Sequence, residues 1–171
     1  MERFSTRARV RAFIVAGALA TALVVPAAVS ADTTPGSNGT ATVTVASDVS
    51  VIGKVAAVVD VSFTCDPFLV YDWETGQYVP STAGSLEFGN AAMTQASGRS
   101  VASGSEALAL DGPLVCDGST PNHATSTIMA TSLPWKKGTA VATVRVFVAS
   151  SDFQSQDQGQ VGPLVVKLTA R

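Results

Sequence analysis

Apolar and polar residues alternate along much of the chain beyond residue 40, with a period of two that sends successive side chains to opposite faces of a strand. Residues 54–65 show it most cleanly. Val55, Ala57, Val59, Val61, Phe63 and Cys65 fall on one face, while Lys54, Asp60, Ser62 and Thr64 fall among the other positions. The pattern predicts a strand that buries Cys65 and stops at Asp66-Pro67, because proline cannot donate to a β-ladder. The same alternation predicts strands over 40–47 (Ala41, Val43 and Val45 inward) and 107–116 (Leu108, Leu110, Leu114 and Cys116 in register). It predicts two more over 140–150 (Ala142, Val144, Val146, Val148) and through Leu164, Val166 and Leu168.

Between these lie less regular segments. Residues 68–71 and 77–79 flank Asp72-Trp73-Glu74-Thr75-Gly76, a hairpin pattern with glycine at the turn. A strand is expected over 86–96, interrupted at Gly89-Asn90, then a turn at 97–99 and a short strand from Arg99. Residues 122–131 are threonine-rich and β-prone, 133–138 read as a loop, and 152–160 as a glutamine-rich polar loop. No sustained 3.6-residue period occurs after residue 31. Seven to nine short strands separated by turns predict an all-β protein, a single β-sandwich over 40–171.

The first 31 residues follow a different pattern. Arg3, Arg7, Arg9 and Arg11 precede an uncharged apolar run from Ala12 to Val25, and Pro26 and Val29-Ser30-Ala31 follow. This is the layout of a secretory signal-peptide helix cleaved before Asp32. A run of about fourteen residues is short of the roughly 20 that span a bilayer, so no stable membrane anchor is expected after cleavage. Residues 32–39, rich in Pro, Gly, Ser, Asn and Thr, read as a flexible N-terminal lead. Removing the signal leaves 140 residues with 7 Lys/Arg and 12 Asp/Glu, a formal charge of −5. That sign disfavours nucleic acid as a partner. The expected location is extracellular.

Export gives the two cysteines their meaning. Cys65 and Cys116, 51 residues apart and both in inward phase, predict one structural disulfide, expected to join two packed sheets across the core. Two thiols and the single histidine, His123, make a poor zinc set, since structural zinc takes four ligands.

Cys65-Asp66-Pro67 ending a strand, Gly98-Arg99, Leu114-Val115-Cys116-Asp117-Gly118 with His123 close behind, and Lys137-Gly138-Thr139-Ala140 opening a valine-rich strand together form a pattern. Over about residues 40–150 it resembles small secreted actinobacterial proteins of unknown function. The resemblance implies an immunoglobulin-like antiparallel β-sandwich and export, and no activity. The chain departs from antibody-type domains, because Leu114 stands where a tyrosine corner would place Tyr, two residues before the second cysteine.

Candidate chemistry is sparse. A triad around His123 would need a serine and a carboxylate at hand, and no Gly-x-Ser-x-Gly elbow occurs. Asp48, Asp66, Asp72, Glu74, Asp111 and Asp117 sit at turns without an Asp-x-Asp-x-Asp-Gly loop, so neither a metal nor another cofactor is expected. Tyr71, Trp73 and Tyr78 on the hairpin and Trp135 in the Pro-Trp-Lys-Lys loop are expected as exposed aromatics with two readings, as caps over open sheet ends and edges or as contacts for a ligand or partner, a cell-surface glycan or a protein. The sequence therefore predicts a secreted, non-catalytic binding or structural module. The alternatives are a small-ligand carrier resembling chromoprotein apoproteins, and a secreted hydrolase.

Overall fold

The computed structural model describes residues 38–170. The expected signal peptide, its cleavage site and residues 32–37 of the lead lie outside the described residues. All regular structure among the described residues is β. The strands are β1 (Asn38–Thr40), β2 (Thr42–Val45), β3 (Asp48–Ile52), β4 (Ala56–Thr64), β5 (Phe68–Asp72), β6 (Gln77–Ser81), β7 (Gly84–Ser97), β8 (Ser100–Ala107), β9 (Ala109–Leu110), β10 (Asn122–Met129), β11 (Gly138–Ser150) and β12 (Gln156–Ala170).

One sheet carries most of them, in the order β8-β7-β11-β12-β3-β4-β10-β9, with β2 added to β4 and β1 to β12. β1 and β3 run parallel to β12, and the other pairs are antiparallel. β5 and β6 form a separate hairpin. The expected two-sheet sandwich is not what the hydrogen bonds draw. The two ends of the large sheet curl toward each other: the Ser126 hydroxyl on β10 donates to the Glu106 carbonyl of β8, and the Thr131 N–H donates to the Ser103 carbonyl at 2.9 Å. Gly104 permits this approach, because a Cβ there would strike the Met129 carbonyl. The result is a nearly closed barrel, which removes most of the exposed sheet edge.

Alternation fills the interior. Ala57, Val59, Val61 and Phe63 of β4, Val144, Val146 and Val148 of β11, with Met93, Ile128 and Leu168, form one buried cluster. Val55 departs from the expected face and is exposed, since β4 begins only at Ala56. Three expected boundaries shift as well. Of the 107–116 segment, Ala107 ends β8 and only Ala109–Leu110 forms a strand of its own. Residues 156–160, expected as loop, form the first part of β12, where their backbone pairs with β11 on one side and β1 on the other. Asn38 and Gly39, expected within the flexible lead, are in β1.

The disulfide forms as expected between Cys65 and Cys116, with Cα atoms 4.7 Å apart, but it does not cross the core between two sheets. Cys65 follows β4 directly, and Cys116 lies in the loop before β10, the neighbour of β4. Asn122 holds that loop from both sides, accepting from the Val115 N–H and donating to its carbonyl, each at 2.8 Å. The Cys116 N–H donates to the Thr82 carbonyl, and the Gly118 N–H to the Cys65 carbonyl. The bridge thus ties three chain segments together at one end of the barrel, beside the foot of the β5–β6 hairpin.

Candidate functional site

The hairpin's register decides what it displays. Tyr71 of β5 stands opposite Tyr78 of β6, so both side chains share a face, and Trp73 follows Tyr71 by two residues. On the other face of β5, Phe68 is buried and Val70 packs against the core. The hairpin is therefore seated by its Phe68 and Val70 side and turns its Tyr71 and Tyr78 side outward. Gly76 closes the tip in the left-handed region (φ 69°), with its N–H donating to the Asp72 carbonyl. Asp72 braces the same turn by accepting from the Glu74 N–H at 2.9 Å and the Thr75 hydroxyl at 2.8 Å. These two contacts, the N–H foremost, hold its carboxyl below the usual range.

Tyr71 packs edge-to-face with both neighbours, its ring centroid 4.7 Å from Trp73 and 5.4 Å from Tyr78. Trp73 nevertheless remains 87% exposed. A second segment completes the site, the turn between β11 and β12. Ser150 and Ser155, both buried, close that turn through paired backbone and hydroxyl hydrogen bonds. The Ser155 hydroxyl reaches the Leu69 carbonyl of β5 at 2.8 Å. Between the turn and the hairpin lies an open cleft of about 610 Å³, lined by Tyr71, Trp73, Tyr78, Asp152 and Gln154. The Asp152 carboxylate accepts from the Ser150 hydroxyl at 2.5 Å and the Gln154 N–H at 3.1 Å. Led by the hydroxyl, these contacts lower its pKa despite some desolvation.

The structure thus brings Tyr71, Trp73 and Tyr78 together as expected and separates Trp135 from them. The expectation that Trp135 is an exposed contact residue is corrected. Its side chain is fully buried at the far end of the barrel, and its indole N–H donates to the Ile128 carbonyl. The loop carrying it is clamped by buried Gln95, whose amide accepts from the Lys136 N–H at 2.9 Å and donates to the Lys136 carbonyl at 2.7 Å. Asp152 and Gln154 were missed by sequence reasoning. Asp152 is 81 positions from Tyr71, and only its place beside the polar Ser150-Ser151 pair hinted at a turn.

Other candidates play local roles. His123 is exposed, and among the described residues its imidazole has no hydrogen bond to a serine or a carboxylate. The Asp117 carboxylate caps its own turn through the Thr120 hydroxyl, the Thr120 N–H and the Ser119 N–H, which strongly lower its pKa. Asp111 accepts from the Thr125 hydroxyl. Among the described residues no three His, Cys, Asp or Glu side chains gather as a metal-binding group.

Charge is distributed unevenly along the barrel. β11 runs from the Lys136-Lys137 end to the Ser150-Asp152 end. Lys54, Lys136 and Lys137 line a cavity beside Trp135. At the opposite end, Asp66 and Asp117 flank the disulfide, Asp72 and Glu74 occupy the hairpin tip, and Asp152 faces the cleft. Comparison with protein-family models, with curated proteins and with solved structures finds no match to this chain.

Proposed function

We propose that this protein is a secreted, non-catalytic binding module whose contact surface is the aromatic face of the β5–β6 hairpin. One observation carries the reading. Trp73 keeps most of its surface in water although Tyr71 and the cleft lie beside it, so it is not serving as a cap over the barrel. Large aromatics held on a braced turn over a rigid scaffold supply contact area at little cost in conformational entropy. A cell-surface glycan or a protein surface is the partner class such a platform suits. A carrier of an enclosed small ligand is less well supported, since Trp135, Phe63, Phe68 and Met93 fill the interior. The kinship with small secreted actinobacterial proteins and the extracellular location belong to the same proposal; the all-β fold supports the first and the disulfide the second.

The test is a glycan-array and pull-down screen with the mature chain and with Trp73→Ala. Binding that the wild type shows and the variant loses supports the hairpin as the contact surface. A ligand bound equally well by both proteins would place the site elsewhere. Intact-mass measurement of the exported protein should find Asp32 as its first residue.

A further inference from the structure

Resting on the reading of the hairpin as a contact surface, we infer that the cleft between Trp73, Tyr71, Tyr78 and Asp152 binds an alkylammonium cation, the group presented by a lysine side chain or by a quaternary amine. Aromatic faces attract a cation held within about 6 Å of a ring centroid. Here two steep edge-to-face pairs, Tyr71 with Trp73 and Tyr71 with Tyr78, set three rings at different inclinations around one opening. Planes set at large angles suit a compact, roughly spherical group better than a flat one, which stacks on a single ring.

The polar lining has the matching sign. Asp152 contributes a carboxylate and Gln154 an amide, and among the described residues no basic side chain lines the cleft. The Ser150 hydroxyl and the Gln154 N–H favour the charged form of the Asp152 carboxyl. Asp72 and Glu74 add negative charge on either side of Trp73, while Lys54, Lys136 and Lys137 stand at the other end of the barrel. A neutral sugar would gain nothing from this field, and an anion would be repelled.

Choline and its neutral isostere 3,3-dimethylbutan-1-ol differ in charge at nearly constant shape, and n-butylammonium mimics lysine. Each is titrated into the mature chain and its variants at constant ionic strength by calorimetry, with Trp73 emission, which its exposure separates from that of buried Trp135, as a second readout in the chains that keep Trp73. Saturable binding of choline or butylammonium is expected, with the isostere roughly tenfold weaker or worse. Added salt should weaken it. Trp73→Ala should abolish it, and Glu74→Gln, at the exposed tip, and Asp152→Asn should each weaken it severalfold. Preference for choline over butylammonium assigns a quaternary amine, and the reverse preference assigns lysine.

Equal binding of choline and its isostere overturns the inference, as does cation binding that survives in Trp73→Ala. If neither cation binds while a glycan is still captured in a Trp73-dependent way, the cation assignment fails and the contact surface stands. Failure of both arms removes both readings.

Discussion

Two tryptophans stand in sequence settings of similar appearance, each on a polar segment near a turn residue, and the fold sends them to opposite fates. Trp73 is exposed at the tip of a hairpin, and Trp135 is the largest fully buried side chain. The difference lies in what the backbone around each one offers. Trp135 finds an acceptor for its indole N–H at Ile128, and Gln95 takes both polar groups of the next residue's backbone, so the loop can fold inward with its polar groups paired. At Trp73 the turn's own polar groups are already engaged with Asp72, and the hairpin's other face, Phe68 and Val70, is the one that packs on the barrel core. One tryptophan closes an interior and the other is available to a partner.

Substitutions can test this contrast. Trp135→Ala should cost roughly 3–5 kcal/mol, read as a large loss in denaturant midpoint, since it empties a buried site and removes the indole hydrogen bond to the Ile128 carbonyl. Cys116→Ala opens a 51-residue loop at the hairpin's foot and should cost about 4 kcal/mol in the chain-entropy picture, with reduced secreted yield. A melting temperature equal to the wild type's would show that the foot is held without the bridge. Gln95→Ala should cost about 1–3 kcal/mol by unpairing the Lys136 backbone, and should shift the emission of Trp135 but not of Trp73.

A pH series separates the two carboxylates of the segment that supports the hairpin. Asp152 has a lowered pKa, so the stability it contributes is present above the usual carboxylate range and is lost as pH falls through its lowered value. Asp157 is raised by burial and, secondarily, by the charge on Asp66, offset in part by the Asp66 N–H that it accepts at 3.0 Å. Its ionised form therefore costs stability, which is recovered as pH falls through its raised value. Asp157→Asn should raise the melting temperature near neutral pH, with the gain disappearing in acid, whereas Asp152→Asn should lower it. The smallest effect is expected for Trp73→Ala, within about 0.5 kcal/mol of wild type. A larger loss would mean that Trp73 supports the fold after all.

Much of the scaffold was legible because local pattern and tertiary role coincide. β4 reads correctly from Ala57 to Thr64, with Cys65 just beyond it in the same inward phase, since one side of the strand faces a single continuous core. The hairpin reads correctly because Gly76 and Asp72 specify their turn locally. Legibility ends where pairing is set at a distance. Gln156-Asp157-Gln158-Gly159-Gln160 has no apolar alternation, and becomes a strand only because β11 and β1 supply partners on both sides. Curling of the sheet onto itself needs the close approach that Gly104 permits, and a glycine inside a strand pattern does not name its neighbour. The candidate site was half legible: its rings lie close together in the chain, whereas its carboxylate arrives from a turn far along the sequence.

The barrel's direction has a practical consequence for how the molecule is presented. β12 ends at Ala170, which lines the cavity beside Trp135 and Lys54, while β1 starts at Asn38 alongside Gln156, two residues from the cleft residue Gln154. A bead or sensor surface attached through the C-terminal end would hold the lysine-rich base inward and leave the aromatic tip facing the solution. A fusion partner placed just ahead of β1 would crowd that tip, so orientation alone can switch access to it on or off.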